Sequence, residues 1–258
     1  MSTANKAKAI EELIEVMDRL LGPQGCPWDR EQTHESLIRY LIEESYEVIE
    51  AIKERDMNKL RDELGDLLLQ IVFHANLAQQ EGQFDFYDVA AGVSQKMINR
   101  HPHVFGDAKP LHSGEDVMEV WEGYKKREGK ENLLEGIPKF LPALMRAEKV
   151  QEKAARVGFD WPSVKGAVEK FKEEVEEWGQ AVNKSEEKEE FGDILFALVN
   201  IARFRNIEPE QALQAANDKF SRRFNYIEKQ VKESNREFKD MSLEELDIIW
   251  EEAKAKGL

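Results

Sequence analysis

Two stretches of the sequence place a glutamate where an amphipathic helix calls for an aliphatic side chain. One apolar stripe steps from Leu37 to Leu41 and on to Val48, and the position between is Glu44. A second runs Val164, Val168, Phe171 and on to Trp178 through Glu174. An unpaired carboxylate in such a stripe costs on the order of several kcal/mol, so it must be paired, metal-bound or protonated. Each belongs to a Glu-Glu-x-x-Glu run, Glu43, Glu44 and Glu47 or Glu173, Glu174 and Glu177, whose last member lies one turn further on the same face. A Glu-x-x-Asp pair follows each run, Glu63 with Asp66 and Glu190 with Asp193. If each pair of helices packs antiparallel through a short connection, four carboxylates meet in one patch. Their repulsion is relieved by a hard divalent cation, and oxygen-only ligation favours magnesium or manganese over zinc.

A Glu-rich helix is also the ordinary solvated face of a soluble protein, with lysine partners one turn away. The double occurrence, the interruption of an apolar stripe each time and the same downstream Glu-x-x-Asp favour the cation. A di-iron bundle would use Glu-x-x-His pairs, and none falls on these helices. His74 reads as a packing histidine with a satisfied ring, and His101 with His103, flanking Pro102, lacks the further ligands zinc needs.

The elements that must position these groups are helices. Period-3.6 patterning predicts them near 6–21, 35–54, 57–80, 86–100 and 115–128, then near 143–156, 163–183, 187–205, 208–233 and 242–256. The two series repeat one another. Glu63-Leu-Gly-Asp66 matches Glu190-Phe-Gly-Asp193, Lys96 to Arg100 matches Lys219 to Arg223, and Trp121 to Lys125 matches Trp250 to Lys254, each pair about half the chain apart. The fold expected is all-α, a tandem repeat of two helical-bundle domains over 1–130 and 143–258. The Gly- and Pro-containing segment 131–142 joins them, with Phe140, Leu141 and Leu144 marking it as packed.

Lys219, Arg222 and Arg223 share one helix face and suit phosphate, although a basic patch paired to nearby acid has the same spacing. Trp250 with Lys254 a turn later offers a ring and a cation, although a tryptophan on an amphipathic helix is more often core. Lys170, a turn before Glu174, is a further phosphate candidate.

Composition narrows the class. In 258 residues, 52 Asp and Glu outweigh 37 Lys and Arg for a net charge of -15, which excludes a broad nucleic-acid footprint. A polyanionic substrate therefore needs a metal or a local cationic cluster. The single cysteine, Cys26, rules out an internal disulfide, reads as a small buried residue and suits the cytoplasm. The first residues lack the apolar core of a secretion signal, and no stretch is apolar enough for a membrane span, so no membrane partner is expected.

At the two carboxylate motifs the chain resembles the MazG family. Gly25-Cys-Pro-Trp-Asp29, His101-Pro-His-Val-Phe105 and Val157-Gly-Phe-Asp-Trp161 extend the likeness over essentially the full length. The resemblance implies an all-α, magnesium-dependent hydrolase that cleaves nucleoside triphosphates to the monophosphate and pyrophosphate, and a homodimer whose helices complete a bundle. It implies metal ligation by Glu174, Glu177, Glu190 and Asp193, with Glu44, Glu47, Glu63 and Asp66 matching in the first half. The neighbouring Glu173 joins the catalytic acids. Lys170, Lys219, Arg222 and Arg223 would hold phosphates, and Trp250 and Lys254 would contact the nucleotide. Where the second half has Arg222 and Arg223 the first has Asn99 and Arg100, one cation fewer. Related helical enzymes acting on dUTP or phosphoribosyl-ATP are the nearest alternative activities. A helical scaffold without catalysis is the alternative of another class, against which the intact carboxylates of both halves speak.

Overall fold

The computed structural model describes residues 3–106 and 132–258, with side chains from residue 8 onward. Every regular element among them is a helix. In chain order these are α1 (Thr3–Leu21), α2 (Pro27–Arg30), α3 (Ile38–Glu54), α4 (Met57–Gln80), α5 (Phe86–Arg100), α6 (Pro102–Phe105), α7 (Ala143–Ala155), α8 (Val164–Gln180), α9 (Lys184–Phe204), α10 (Pro209–Glu233), a 3₁₀ turn (Phe238–Asp240) and α11 (Leu243–Ala255). The expected helix at 115–128, with Trp121 and Lys125, lies outside the described residues. The short α2, α6 and 3₁₀ turn have too few residues to show a period.

The chain divides into two compact units, Met1–Tyr124 and Lys125–Leu258. The described part of the segment expected as a connection belongs with the second, where Lys153 Nζ donates to the carbonyls of Leu133 and Glu135 at 3.0 and 2.9 Å. Phe140 does not pack there as its apolarity suggested, being 101% exposed. Cys26 is half-buried rather than buried.

The architecture of each unit rests on one helical hairpin. In the first, α3 ends at Arg55 in the left-handed region, φ 58°, whose N–H reaches the carbonyls of Ala51 and Ile52. Asp56 then opens α4 at once, its carboxylate accepting from the N–H groups of Asn58 and Lys59. In the second, Asn183 caps α9 by accepting from Ser185 and Glu186. So short a connection forces α3 back along α4, and α8 back along α9, and these are the most extensive helix contacts of their units.

Against α4 the first unit packs α1 and α5. Met17, Leu21, Leu37, Val72 and Phe73 form its core, with Leu13, Ile14 and Tyr40 closing around them. The turn after α1 folds so tightly that a Cβ on Gly25 would lie 1.9 Å from the Leu20 carbonyl oxygen, so only glycine fits. In the second unit α7 packs on α9 and α10, and α10 on α11. Ala167, Ile194, Val199, Ile227, Val231 and Ala253 are buried there. Ser242 and Glu245 cap α11 reciprocally.

Met17 is 1% exposed at the centre of the first core, whereas its neighbour Val16 is 51% exposed. Met17→Ala is expected to destabilise the first unit by roughly 2–5 kcal/mol, and Val16→Ala to shift it by no more than about 0.5, read from urea unfolding.

Candidate metal centre and adjoining cavity

The α8–α9 hairpin brings four carboxylates together. Glu174, Glu177 and Glu190 each offer an oxygen within 4.8 Å of the others. Asp193, one turn beyond Glu190 on α9, adds its charge to the repulsion that Glu190 feels and shares a cavity wall with Glu174. Glu174 is only 6% exposed. Burial, then the charges of Glu177, Glu174 and Asp193, hold the Glu190 carboxyl above its ordinary range. The cation facing this cluster is Lys170. Its Nζ lies 2.7 Å from Glu173 Oε1, 2.7 Å from Glu174 Oε1 and 4.0 Å from Glu177 Oε2. The hydrogen bonds to Glu173 and then Glu174 push its pKa upward. Glu173, exposed on the same helix, stands beside the cluster as the lysine's second partner.

In the first unit Glu44, Glu63 and Asp66 likewise offer oxygens within 4.8 Å of one another. Burial and then the charges of Asp66 and Glu47 raise the Glu44 carboxyl, and burial and then Glu47 and Asp66 raise that of Glu63. Glu47 therefore belongs to the cluster too. The residue that matches Lys170 in the repeat is Tyr40, whose ring takes the Arg39 guanidinium at 4.3 Å. In both units the donors are oxygens alone, they converge on one point, and their mutual repulsion is only partly offset by a lysine, Lys59 acting on Glu63 in the first and Lys170 on Glu174 in the second. That donor set fits a hard divalent cation.

A cavity of about 760 Å³ opens on the second cluster, with Lys170, Glu174 and Asp193 in its wall. The rest is mainly apolar, from α7, α9 and the Val157–Trp161 loop, with Gln151 and Asn200 among it. One edge is braced by Arg203, which donates to Asp160 and, through Nε and Nη2, to Asn200 Oδ1 at 3.2 and 2.9 Å. Gln151, Asn200 and Arg203 were not singled out from the sequence, and Asp160 was noted only within the Val157–Trp161 motif. They come from three separate elements, and only the Val157–Trp161 motif marked the neighbourhood. A first-unit cavity of similar volume is walled by residues 16–26 and includes no member of the Glu44 cluster.

The structure sets the remaining candidates on α10 and α11. Arg223 Nε donates to the Leu258 carbonyl at 2.8 Å, and its guanidinium lies 5.3 Å from the Trp250 ring. Trp250 is half-buried against Phe220, ring centroids 5.3 Å apart, and Lys254 pairs with Glu251 at 2.7 Å. Lys219 and Arg222 are exposed on α10. Among the described residues no hydrogen bond or ion pair joins this basic patch to the carboxylates of α8 and α9. His74 has a ring partner as expected, its Nδ1 lying 2.8 Å from that of His34, and burial, then the His34 charge, lowers its pKa.

Two helical hairpins in tandem, each gathering a carboxylate quartet, define an all-α protein built to concentrate acid groups. The MazG nucleotide pyrophosphohydrolase domain matches twice, over residues 32–105 and 163–227, which contain the two quartets. The nucleoside triphosphate pyrophosphohydrolase/pyrophosphatase MazG of Thermotoga maritima is 45% identical over 95% of this chain and 95% of its own length. The nucleoside triphosphate pyrophosphohydrolase of Escherichia coli K12 is 44% identical over 96% of this chain and 98% of its own. A crystal structure of a mazG-related protein from Thermotoga maritima, 32% identical, covers 45% of this chain and 98% of its own with a TM-score of 0.39. The chain belongs to the MazG nucleotide pyrophosphohydrolase family.

The raised Glu190 pKa has a consequence for stability. Its charged form is disfavoured in the fold, so the cost is present above the raised pKa and vanishes as pH falls below the unfolded value near 4.5. Glu190→Gln is therefore expected to raise the melting temperature of chelator-treated protein at pH 7, and that gain to fade on acidification. Calorimetry at pH 7 and pH 4 reads both.

Proposed function

We propose that the protein is a magnesium-dependent nucleoside triphosphate pyrophosphohydrolase, converting ribo- or deoxyribonucleoside triphosphates to the monophosphate and pyrophosphate. The observation that carries this is a carboxylate quartet opening directly on a ligand-sized cavity, in a chain of this family. Glu174, Glu177, Glu190 and Asp193 would hold magnesium, or manganese in its place. When bound, the cation neutralises triphosphate charge and lowers the pKa of a coordinated water.

The protein's own groups then have separable tasks. Lys170, already at the edge of the quartet, turns its ammonium to a phosphate oxygen once its carboxylate partners are otherwise engaged. Glu173, released from the same lysine, accepts the proton of the attacking water. The bridging P–O bond breaks and pyrophosphate leaves. Lys219, Arg222 and Arg223 supply further phosphate contacts, with Trp250 positioning Arg223 through its ring and Lys254 extending the patch. Glu44, Glu47, Glu63 and Asp66 form the matching ligand set of the first unit, where Tyr40 replaces Lys170 and Asn99 replaces Arg222. We assign the faster turnover to the second unit on that difference. A single cysteine, which can form no disulfide within the chain, and a nucleotide substrate both suit the cytoplasm, and we propose that location.

The hairpins also favour a homodimer. Ile38, Ile42, Tyr46, Ile49 and Ile52 expose one continuous face of α3, and Val175, Trp178, Phe191 and Leu195 do so on α8 and α9. Faces of that kind are covered by association. Ile42→Glu with Ile49→Glu is expected to shift the protein from dimer to monomer in sedimentation velocity. An unchanged sedimentation coefficient removes α3 from the interface.

Pyrophosphate release across a panel of ribo-, deoxy- and modified triphosphates tests the activity. Glu174→Ala and Glu190→Ala are expected to lower kcat at least about 100-fold, beyond the loss typical of outer-shell partners. Glu44→Ala with Glu63→Ala should cost far less. Full turnover in the first two variants overturns the assignment of the second-unit site.

A further inference from the structure

Each carboxylate cluster has a lysine near it, and the two lysines stand in different relations to the acids. In the second unit the ammonium contacts the ligand set itself. Lys170 Nζ lies 2.7 Å from Glu174 Oε1 and 4.0 Å from Glu177 Oε2, two of the three residues whose oxygens converge. Because Glu174 is buried, that pair is poorly screened by salt. In the first unit Lys59 is engaged elsewhere. Its Nζ pairs with Glu50 at 2.6 Å and Glu54 at 3.0 Å, neither of which belongs to the cluster. Its charge acts on Glu63 less strongly than burial and the charges of Glu47 and Asp66 do. The position that matches Lys170 is Tyr40, which brings no positive charge.

Lys170 also has a second partner to retreat to. It donates to Glu173 Oε1 at 2.7 Å, and Glu173 is exposed, so the ammonium can leave Glu174 without losing its only acid. The flexible four-carbon stem of a half-buried lysine permits that movement. A divalent cation entering among Glu174, Glu177 and Glu190 would share Glu174 with the ammonium, and the two positive charges would repel across one carboxylate. In the first unit no ammonium among the described residues pairs with Glu44, Glu63 or Asp66, so entry there meets no such competitor.

Resting on the triphosphate reading above, we infer that Lys170 is an internal counter-cation of the second unit, which makes divalent-cation binding there depend on the triphosphate. Without nucleotide the ammonium neutralises part of the cluster and weakens its hold on a divalent cation. A triphosphate draws Lys170 from Glu174 onto a phosphate oxygen and leaves the four carboxylates free to ligate. Linkage makes the effect reciprocal, so the cation raises nucleotide affinity by the same factor. The first unit, with Tyr40 in this position, binds its cation without help from nucleotide. Lys170 thereby couples two binding events, and the second unit completes its metal centre only when substrate is present.

Calorimetric titration of the full-length protein with manganese, in the absence of nucleotide, tests the first half of this. Glu44→Ala with Glu63→Ala confines binding to the second unit, and Glu174→Ala with Glu190→Ala confines it to the first, which should bind more tightly. Added to the former pair, Lys170→Met should tighten second-unit binding about tenfold, within the usual range of coupling between sites. Lys172→Met removes the same charge from an exposed position about half a turn round α8 and should change it little. The second half is read from the affinity for an α,β-imido nucleoside triphosphate, with magnesium and with chelator. The ratio of the two should fall about tenfold in Lys170→Met, in line with the same coupling, while the analogue's own affinity for magnesium is common to both proteins and cancels. Manganese binding that is unchanged or weaker in Lys170→Met, equal tightening in Lys172→Met, or an undiminished ratio overturns the counter-cation. If Lys170→Met does not fold, Lys170→Gln carries the same measurements. A protein that shows the expected pattern but releases no pyrophosphate from any triphosphate defeats the proposed activity and leaves the counter-cation standing.

Discussion

Closing two helices through two or three residues sets the energetic problem that the rest of this protein answers. Apolar contact along the α3–α4 and α8–α9 seams draws the helices together, and the same closure presses carboxylates from both into a space under 5 Å across. The attraction is spread over many side chains, whereas the repulsion is concentrated at one point. The hairpin therefore holds like charges at a separation they would not choose, and the raised carboxyls of Glu44, Glu63 and Glu190 report that conflict. A site prepared in this way needs little rearrangement to accept a cation, because the folding energy has already brought the donors together.

The two units resolve the conflict differently. In the second, Lys170 lies across Glu173 and Glu174 and offsets part of the repulsion. In the first, the matching position is Tyr40, committed to the core and to Arg39, and the offset comes instead from the Lys59 charge acting on Glu63, which remains raised. The surroundings diverge too. The second quartet opens on a cavity with an indole and two oriented amides in its wall, while the first-unit cavity is walled by the α1–α2 turn. Duplication has thus preserved the charge arrangement more closely than the space beside it. That is the pattern expected when ligation and substrate recognition are under separate constraints.

The hairpin seams are amphipathic on more than one side. Leu37, just ahead of α3, and Ala51 on it are buried, while Ile38, Ile42, Ile49 and Ile52 look outward. A helix with apolar residues on most of its circumference is built for a core larger than its own unit supplies. The proposed pairing of two copies gives that second face a physical purpose, and it would rigidify the helices that carry the acids.

Much of this was legible in the sequence, for a reason that particular residues make plain. Helix positions follow from apolar spacing and caps such as Asp56, Asn183 and Ser242, all local, and the long helices of the described residues fall within a few residues of expectation. The repeat was readable from recurring motifs, the family from the resemblance those motifs carry, and the two acid clusters because Glu44 and Glu174 each interrupt an apolar stripe with further acids at fixed spacing. Other features were decided by tertiary packing. Phe140 has an apolar side chain but nothing to pack on, and apolarity alone does not reveal which way a loop residue turns. The cavity draws Gln151, Trp161 and Asn200 from three elements separated along the chain, and the orientation of each amide depends on a neighbour the sequence does not identify. Periodicity is a one-dimensional signal and determined the helices and their acids; the space between helices is three-dimensional, and only packing decided what it could hold.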